Sequence, residues 1–115
     1  MRRRNQPAPP HVLFGALIDP DRDPARRWLR LLDDERRPEV VAAAEPHLVV
    51  WSSPWDRRPD ARSRFELPWY RSGHSTDLRW ALLVEEPLHD PSLLGHLRHR
   101  VNRLVNADLR YSLGY

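Results

Sequence analysis

The sequence predicts an α+β fold in which a meander of about five antiparallel strands is covered by one long C-terminal helix. Three observations carry that expectation. Residues 90–113 hold the only long helical pattern that proline does not break up. Residues 61–67 and 76–85 alternate apolar and polar positions. The links between periodic runs are short and proline-rich, and short links suit antiparallel neighbours rather than parallel ones joined by a crossover helix.

At 115 residues with 40% hydrophobic content, the chain suffices for one core, so residues 1–115 are expected to form a single domain. Cysteine is absent, which removes thiol and disulfide chemistry and fits a cytoplasmic protein. Apolar runs such as Leu48 to Trp51 are far too short to span a bilayer, so no membrane insertion is expected. The N-terminal arginines are not followed by the apolar stretch of a signal peptide. All 19 basic residues are arginine, so the pI reaches about 10.1 although the net charge is only +3. The lack of lysine points to GC-rich coding, as in an actinobacterium.

In chain order, residues 1–7 read as a basic, flexible arm without periodicity. Pro9 and Pro10 open a short helix carrying Val12, Leu13, Ala16 and Leu17, and Asp19–Pro20 stops it, because a residue before proline is pushed out of the α region. Five strands are expected next: Trp28 to Asp33, Glu39 to Ala44, His47 to Ser53, Ala61 to Leu67 and Thr76 to Glu85. Ala61, Ser63, Phe65 and Leu67 share one face of the fourth; Thr76, Leu78, Trp80, Leu82 and Val84 share one face of the fifth. A turn at Ser72–Gly73 would close these two into a hairpin and set Glu66 opposite Arg79. The strand of Trp51 is apolar on both sides, so its register stays open. Asp90 and Pro91 suit the N-cap and first position of the closing helix. At 100° per residue Leu93, Leu97, Val101, Leu104 and Val105 then fall on one arc of about 120°, with His96, His99, Arg103, Asn106 and Arg110 opposite.

Several stretches, in order, resemble the START-like, polyketide-cyclase type superfamily abbreviated SRPBCC. Ala8-Pro-Pro-His-Val-Leu-Phe-Gly-Ala-Leu-Ile-Asp-Pro resembles its opening helix "APPEEVFDALTDP". Glu45-Pro-His-Leu-Val-Val-Trp resembles its "dPPrrLVytW" turn and strand. Arg64-Phe-Glu-Leu with Gly73 to Trp80 resembles its "vtFeLep..gGTrLrw" hairpin, and residues 93–110 resemble the closing helix of a small actinobacterial branch. The resemblance implies a helix-grip fold, in which a curved sheet wraps the long helix around an apolar cavity. It also implies ligands such as lipids, sterols or polyketides, cyclase or dehydratase activity on aromatic polyketides, or regulation of partner proteins. Family members carry a first strand before the opening helix, and here only Met1 to Gln6 precede it. The sequence is therefore expected to lack that strand, through a misplaced start, a true truncation, or a strand supplied by a second copy. An unpaired edge would favour a homodimer.

The cavity of such a fold would be lined by Trp51, Ser63, Phe65, Leu67, Thr76, Leu78 and Trp80 from the sheet, and by Leu97, Val101 and Leu104 from the helix. Ser63 and Thr76 would be its polar groups. Asp108 falls inside the apolar arc, where a carboxylate is costly unless paired or protonated; it would act as a polar anchor at the cavity mouth, or pair with a nearby arginine where the helix outruns the sheet. No metal centre is expected, since six histidines are scattered without cysteine or an HExxH pattern. Ser92 and Ser112 lack a nucleophile-elbow context, and no glycine-rich loop could cradle a phosphate. The arginines of the arm and helix lack interleaved aromatics and alternate with carboxylates along the chain, which disfavours nucleic acid as a partner. Three functions follow: an apolar-ligand-binding domain without cofactor, an aromatic polyketide cyclase or dehydratase, or a structural or regulatory domain with a filled core.

Overall fold

A computed structural model describes residues 2–22, 27–70, 75–85 and 91–113. Its sheet is antiparallel and runs β1-β5-β4-β3-β2, from β1 (Arg2–Gln6), β2 (Val40–Ala44), β3 (Leu48–Trp51), β4 (Arg62–Glu66) and β5 (Thr76–Leu83). Helix α1 (Pro10–Ile18) follows β1. The long helix comprises α2 (Pro91–Arg103), a π-helical turn (Leu104–Leu109) and a final α turn, α3 (Arg110–Ser112). The expected α+β helix-grip architecture is the one observed.

The largest correction concerns the first strand. Residues 2–6 are not a frayed arm: β1 pairs with β5 from Arg2↔Trp80 to Gln6↔Thr76. Ladder bonds come from the main chain, so arginine side chains do not prevent pairing. The register sets Arg4 opposite Leu78 and Gln6 opposite Thr76, on the face the helix covers. Gln6 is 1% exposed and donates from Nε2 to the Val105 carbonyl (3.2 Å) and to Asn106 Oδ1 (2.8 Å). With that strand present, the reason for expecting a second copy to supply it lapses.

The expected strand from Trp28 to Asp33 does not form, and β1 takes its place in the count of five. Side chains hold this segment instead of a ladder. The Trp28 indole donates to the Ala16 carbonyl at 3.2 Å and stacks on Trp51 with centroids 5.9 Å apart. Glu35, fully covered, receives Arg100 through Nη2 at 2.7 Å and Nε at 3.0 Å, the Trp55 indole at 2.8 Å and the Leu32 N–H at 2.8 Å. Arg100 Nη2 also donates to the Arg30 carbonyl at 3.0 Å. Burial pushes the Glu35 carboxyl up, but the bonds from Arg100, Leu32 and Trp55 outweigh it and hold its pKa below the usual value. One ion pair thus fastens residues 30–35 to the helix and to the Trp55 loop.

The remaining elements follow the sequence closely. Pro10 occupies the first position of α1, and Asp19 before Pro20 ends it with φ −137°. The β4–β5 ladder runs from Arg62↔Leu83 to Glu66↔Arg79 as expected; its turn at Ser72–Gly73 lies outside the described residues, as does Asp90. Glu66 and Arg79 do face one another, yet each pairs along its own strand, Glu66 with Arg64 (3.1 Å) and Arg79 with Asp77 (3.0 Å). Trp51 opposes Ser63, which fixes its register to the helix-covered face.

Candidate ligand site

Ten of the eleven residues assigned to the cavity come together. Trp51, Ser63, Phe65, Leu67, Thr76, Leu78 and Trp80 on the sheet, and Leu97, Val101 and Leu104 on the helix, are each 3% exposed or less. Within this group the Trp51 and Phe65 rings meet edge to face with centroids 4.8 Å apart. Of these ten, Leu97 alone borders a described cavity, one of about 230 Å³ that it shares with Leu93, His96, Asp34 and the Trp55–Arg57 loop. Buried polar groups here are largely committed to the main chain. Thr76 Oγ1 donates to the Ala8 carbonyl at 2.7 Å, and Ser53 Oγ donates to the Trp55 carbonyl at 3.1 Å. The Trp80 indole N–H finds no acceptor among the described residues.

Asp108 is the exception, and the π turn is the reason. From Leu104 to Leu109 the helix winds wider than 3.6 residues per turn, which delays the apolar face by one position. Leu104, Val105 and Leu109 are buried in place of the Leu104–Asp108 pairing expected from a uniform helix. The Asp108 side chain, 17% exposed, sits to the side, with Oδ1 4.0 Å from Arg103 Nε. Gln6 satisfies the buried Val105 carbonyl within the turn, and Asn106, which the sequence places in solvent, accepts from Gln6 and donates to Asn102 at 2.8 Å.

Beside this turn opens the largest described cavity, about 720 Å³. Three elements wall it: β1 through Arg4, the coil through Arg27, Trp28 and Arg30, and the helix end through Arg103 and Asn106–Ser112 except the buried Leu109. Its position is set from both sides. The Trp28 indole is anchored on α1, the Arg30 main chain on Arg100, and Arg110 Nη1 on the Asn5 carbonyl at 3.3 Å. This cavity is not legible in the sequence, because its arginines come from three separate stretches and nothing local marks residues 2–6 as a strand. The one legible signal was Asp108. A third hollow, about 450 Å³, lies on the outer face of the sheet between His47, Arg64, Trp69 and Arg79. No group of metal-ligating side chains occurs among the described residues, and no described helix is long and apolar enough to cross a membrane.

An antiparallel sheet wrapped on a long C-terminal helix is a helix-grip fold. The solved structure of CalU16 from Micromonospora echinospora superposes on it with a TM-score of 0.70 at 18% identity, covering 97% of this chain and 73% of that one. At that identity the likeness establishes the fold. No family model and no curated protein matches the sequence.

Proposed function

We propose that this chain is a small-molecule-binding START-like domain whose ligand sits in the cavity between β1, residues 27–30 and the end of the long helix. The observation that carries this is the cavity itself: its volume of about 720 Å³ falls in the range of about 300–1,000 Å³ typical of ligand sites. An apolar ligand body, as the superfamily resemblance implies, would meet Trp28 and Tyr111 there. Trp28 lines the cavity and stacks on Trp51, which in turn meets Phe65. Trp51 and Phe65, two of the residues assigned to the site from sequence, thus stand behind Trp28, and Asp108 lines the cavity itself. Cyclase or dehydratase chemistry would need at least two polar groups free to converge on a substrate. Of the two polar groups expected there, Thr76 is bonded to the Ala8 main-chain carbonyl, which leaves Ser63 alone of that pair.

The filled-core alternative, a structural or regulatory domain, has its own support in the edge-to-face contact of Trp51 with Phe65 and the near-complete burial around it. A mixed fragment library screened by ¹H–¹⁵N NMR separates the two. Binding at this cavity shifts the amides of Trp28 and Arg110–Ser112 in a saturable way. A library that produces no saturable shift there leaves the filled-core domain standing.

A further inference from the structure

We propose that the cavity recognises an organic anion: the ligand carries a carboxylate or phosphate-type group held by Arg4, Arg27, Arg30 and Arg103. This deepens, and rests on, the small-molecule function proposed above. Charge is the first ground. Five arginines line the cavity against one carboxylate, Asp108, whereas the whole chain carries a net charge of only +3. More positive charge is gathered on this one concave wall than the protein has in excess overall.

Pairing is the second ground. Among the described residues outside the cavity, six arginines pair with a carboxylate: Arg36 with Asp56 (3.2 Å), Arg37 with Asp21 (2.8 Å), Arg58 with Asp60 (2.7 Å), Arg64 with Glu66, Arg79 with Asp77 and Arg100 with Glu35, while Arg57 and Arg98 do not. In the cavity such pairing is sparse and the unpaired arginines are neighbours. Arg4, Arg27 and Arg30 have no carboxylate within ion-pair distance among the described residues, and the one pair that exists, Arg103–Asp108, is stretched to 4.0 Å. Like charges brought together on a concave surface repel one another, and an anion between them relieves that repulsion. Guanidinium groups suit the task, because their planar fork matches carboxylate and phosphate oxygens in a bidentate way.

The third ground is construction. The charges are carried on anchored main chain: β1 is hydrogen-bonded to β5, Trp28 to Ala16, and the Arg30 carbonyl to Arg100. The π turn swings Asp108 aside and places Leu109 in the core, so the wall next to the arginines stays open. A free side-chain surface on a rigid frame loses little entropy of the scaffold on binding.

The test compares 2-naphthoate and phenyl phosphate with the neutral 2-naphthamide, by calorimetry and ¹H–¹⁵N NMR, on the full chain and on the double variant Arg30→Gln/Arg103→Gln. Both side chains are exposed, and Arg100 bonds the carbonyl of Arg30 rather than its side chain, so the variant keeps the frame. At least one acid is expected to bind tenfold or more tightly than the amide, to weaken with added salt, and to lose tenfold or more in the variant; which acid binds tells carboxylate from phosphate. Equal affinity for acid and amide at this cavity overturns the anion site while leaving the small-molecule function intact. Unchanged acid binding in the variant also overturns it. If a single-stranded oligonucleotide binds through these arginines and neither acid competes, the surface is a nucleic-acid contact and the proposal fails. Silence from all three compounds, together with a silent fragment screen, removes both the anion site and the binding function.

Discussion

The two halves of the C-terminal helix meet the rest of the molecule in opposite ways. Along α2, the regular spacing of Leu97 and Val101 lays a continuous apolar face on the sheet, and Arg100 reaches sideways to lock Glu35. Along the π turn the phase changes: Val105 and Leu109 stay in the core, Asp108 moves off it, and a cavity opens against an arginine-bearing coil. The same helix therefore packs against the sheet at one end and borders an open cavity at the other. A change in helical pitch thus coincides with the change from buried face to cavity wall.

If the α2 half is a sealed core, truncating its aromatic floor must be severe. Phe65→Ala should destabilise the fold by about 4 kcal/mol in urea unfolding, the range for deleting a fully buried phenyl ring; Phe65 is 0% exposed. A loss under about 1 kcal/mol would mean that the interior is loose enough to be a cavity, and would blur the contrast between the halves.

The Glu35–Arg100 lock should come next. Glu35→Ala leaves a mostly covered guanidinium without its carboxylate, a loss on the order of 3 kcal/mol. The pH dependence has a fixed sign. Glu35 is held below its ordinary value of 4.5 in the folded state, so its contribution is full above that value and is lost as pH falls through the folded pKa. The stability gap between wild type and Glu35→Gln should accordingly narrow on going from about pH 6 to about pH 3. A gap that widened toward acid would show that Glu35 is not ionised against Arg100.

Gln6→Ala probes the boundary between the halves. It removes the donor to the Val105 carbonyl inside the π turn and to Asn106. The expected loss is about 1–2 kcal/mol, from a buried acceptor left unsatisfied, with hydrogen exchange at Val105–Leu109 rising more than along α2.

The sequence made the sealed half legible and left the open half obscure, for a physical reason. Phe65, Leu78 and Trp80 follow a period of two, and Leu97, Val101 and Leu104 follow 3.6, so each announces its inward face locally. Nothing local announces a strand made of Arg2–Gln6, because its stability comes from ladder bonds to β5, seventy-odd positions away. The tryptophan at 28 looked like strand and instead serves as a side-chain anchor to α1 and Trp51. The π turn was visible only as a misfit: a carboxylate that uniform pitch would have driven into the core.

Asp108→Asn is the smallest of these changes and the one that addresses that misfit directly. Were Asp108 buried in the apolar face, neutralising it would relieve an expensive charge and raise stability well beyond 1 kcal/mol. Beside the cavity its side chain is partly covered and its partner Arg103 is exposed and 4.0 Å away, so the pair adds little and stability should change by about 1 kcal/mol or less. Binding should respond instead. Removing the single carboxylate from a wall of five arginines is expected to tighten 2-naphthoate or phenyl phosphate severalfold while leaving 2-naphthamide unchanged. A variant that gains stability without gaining acid affinity would put Asp108 back on the sealed side of the helix and erase the difference between its two halves.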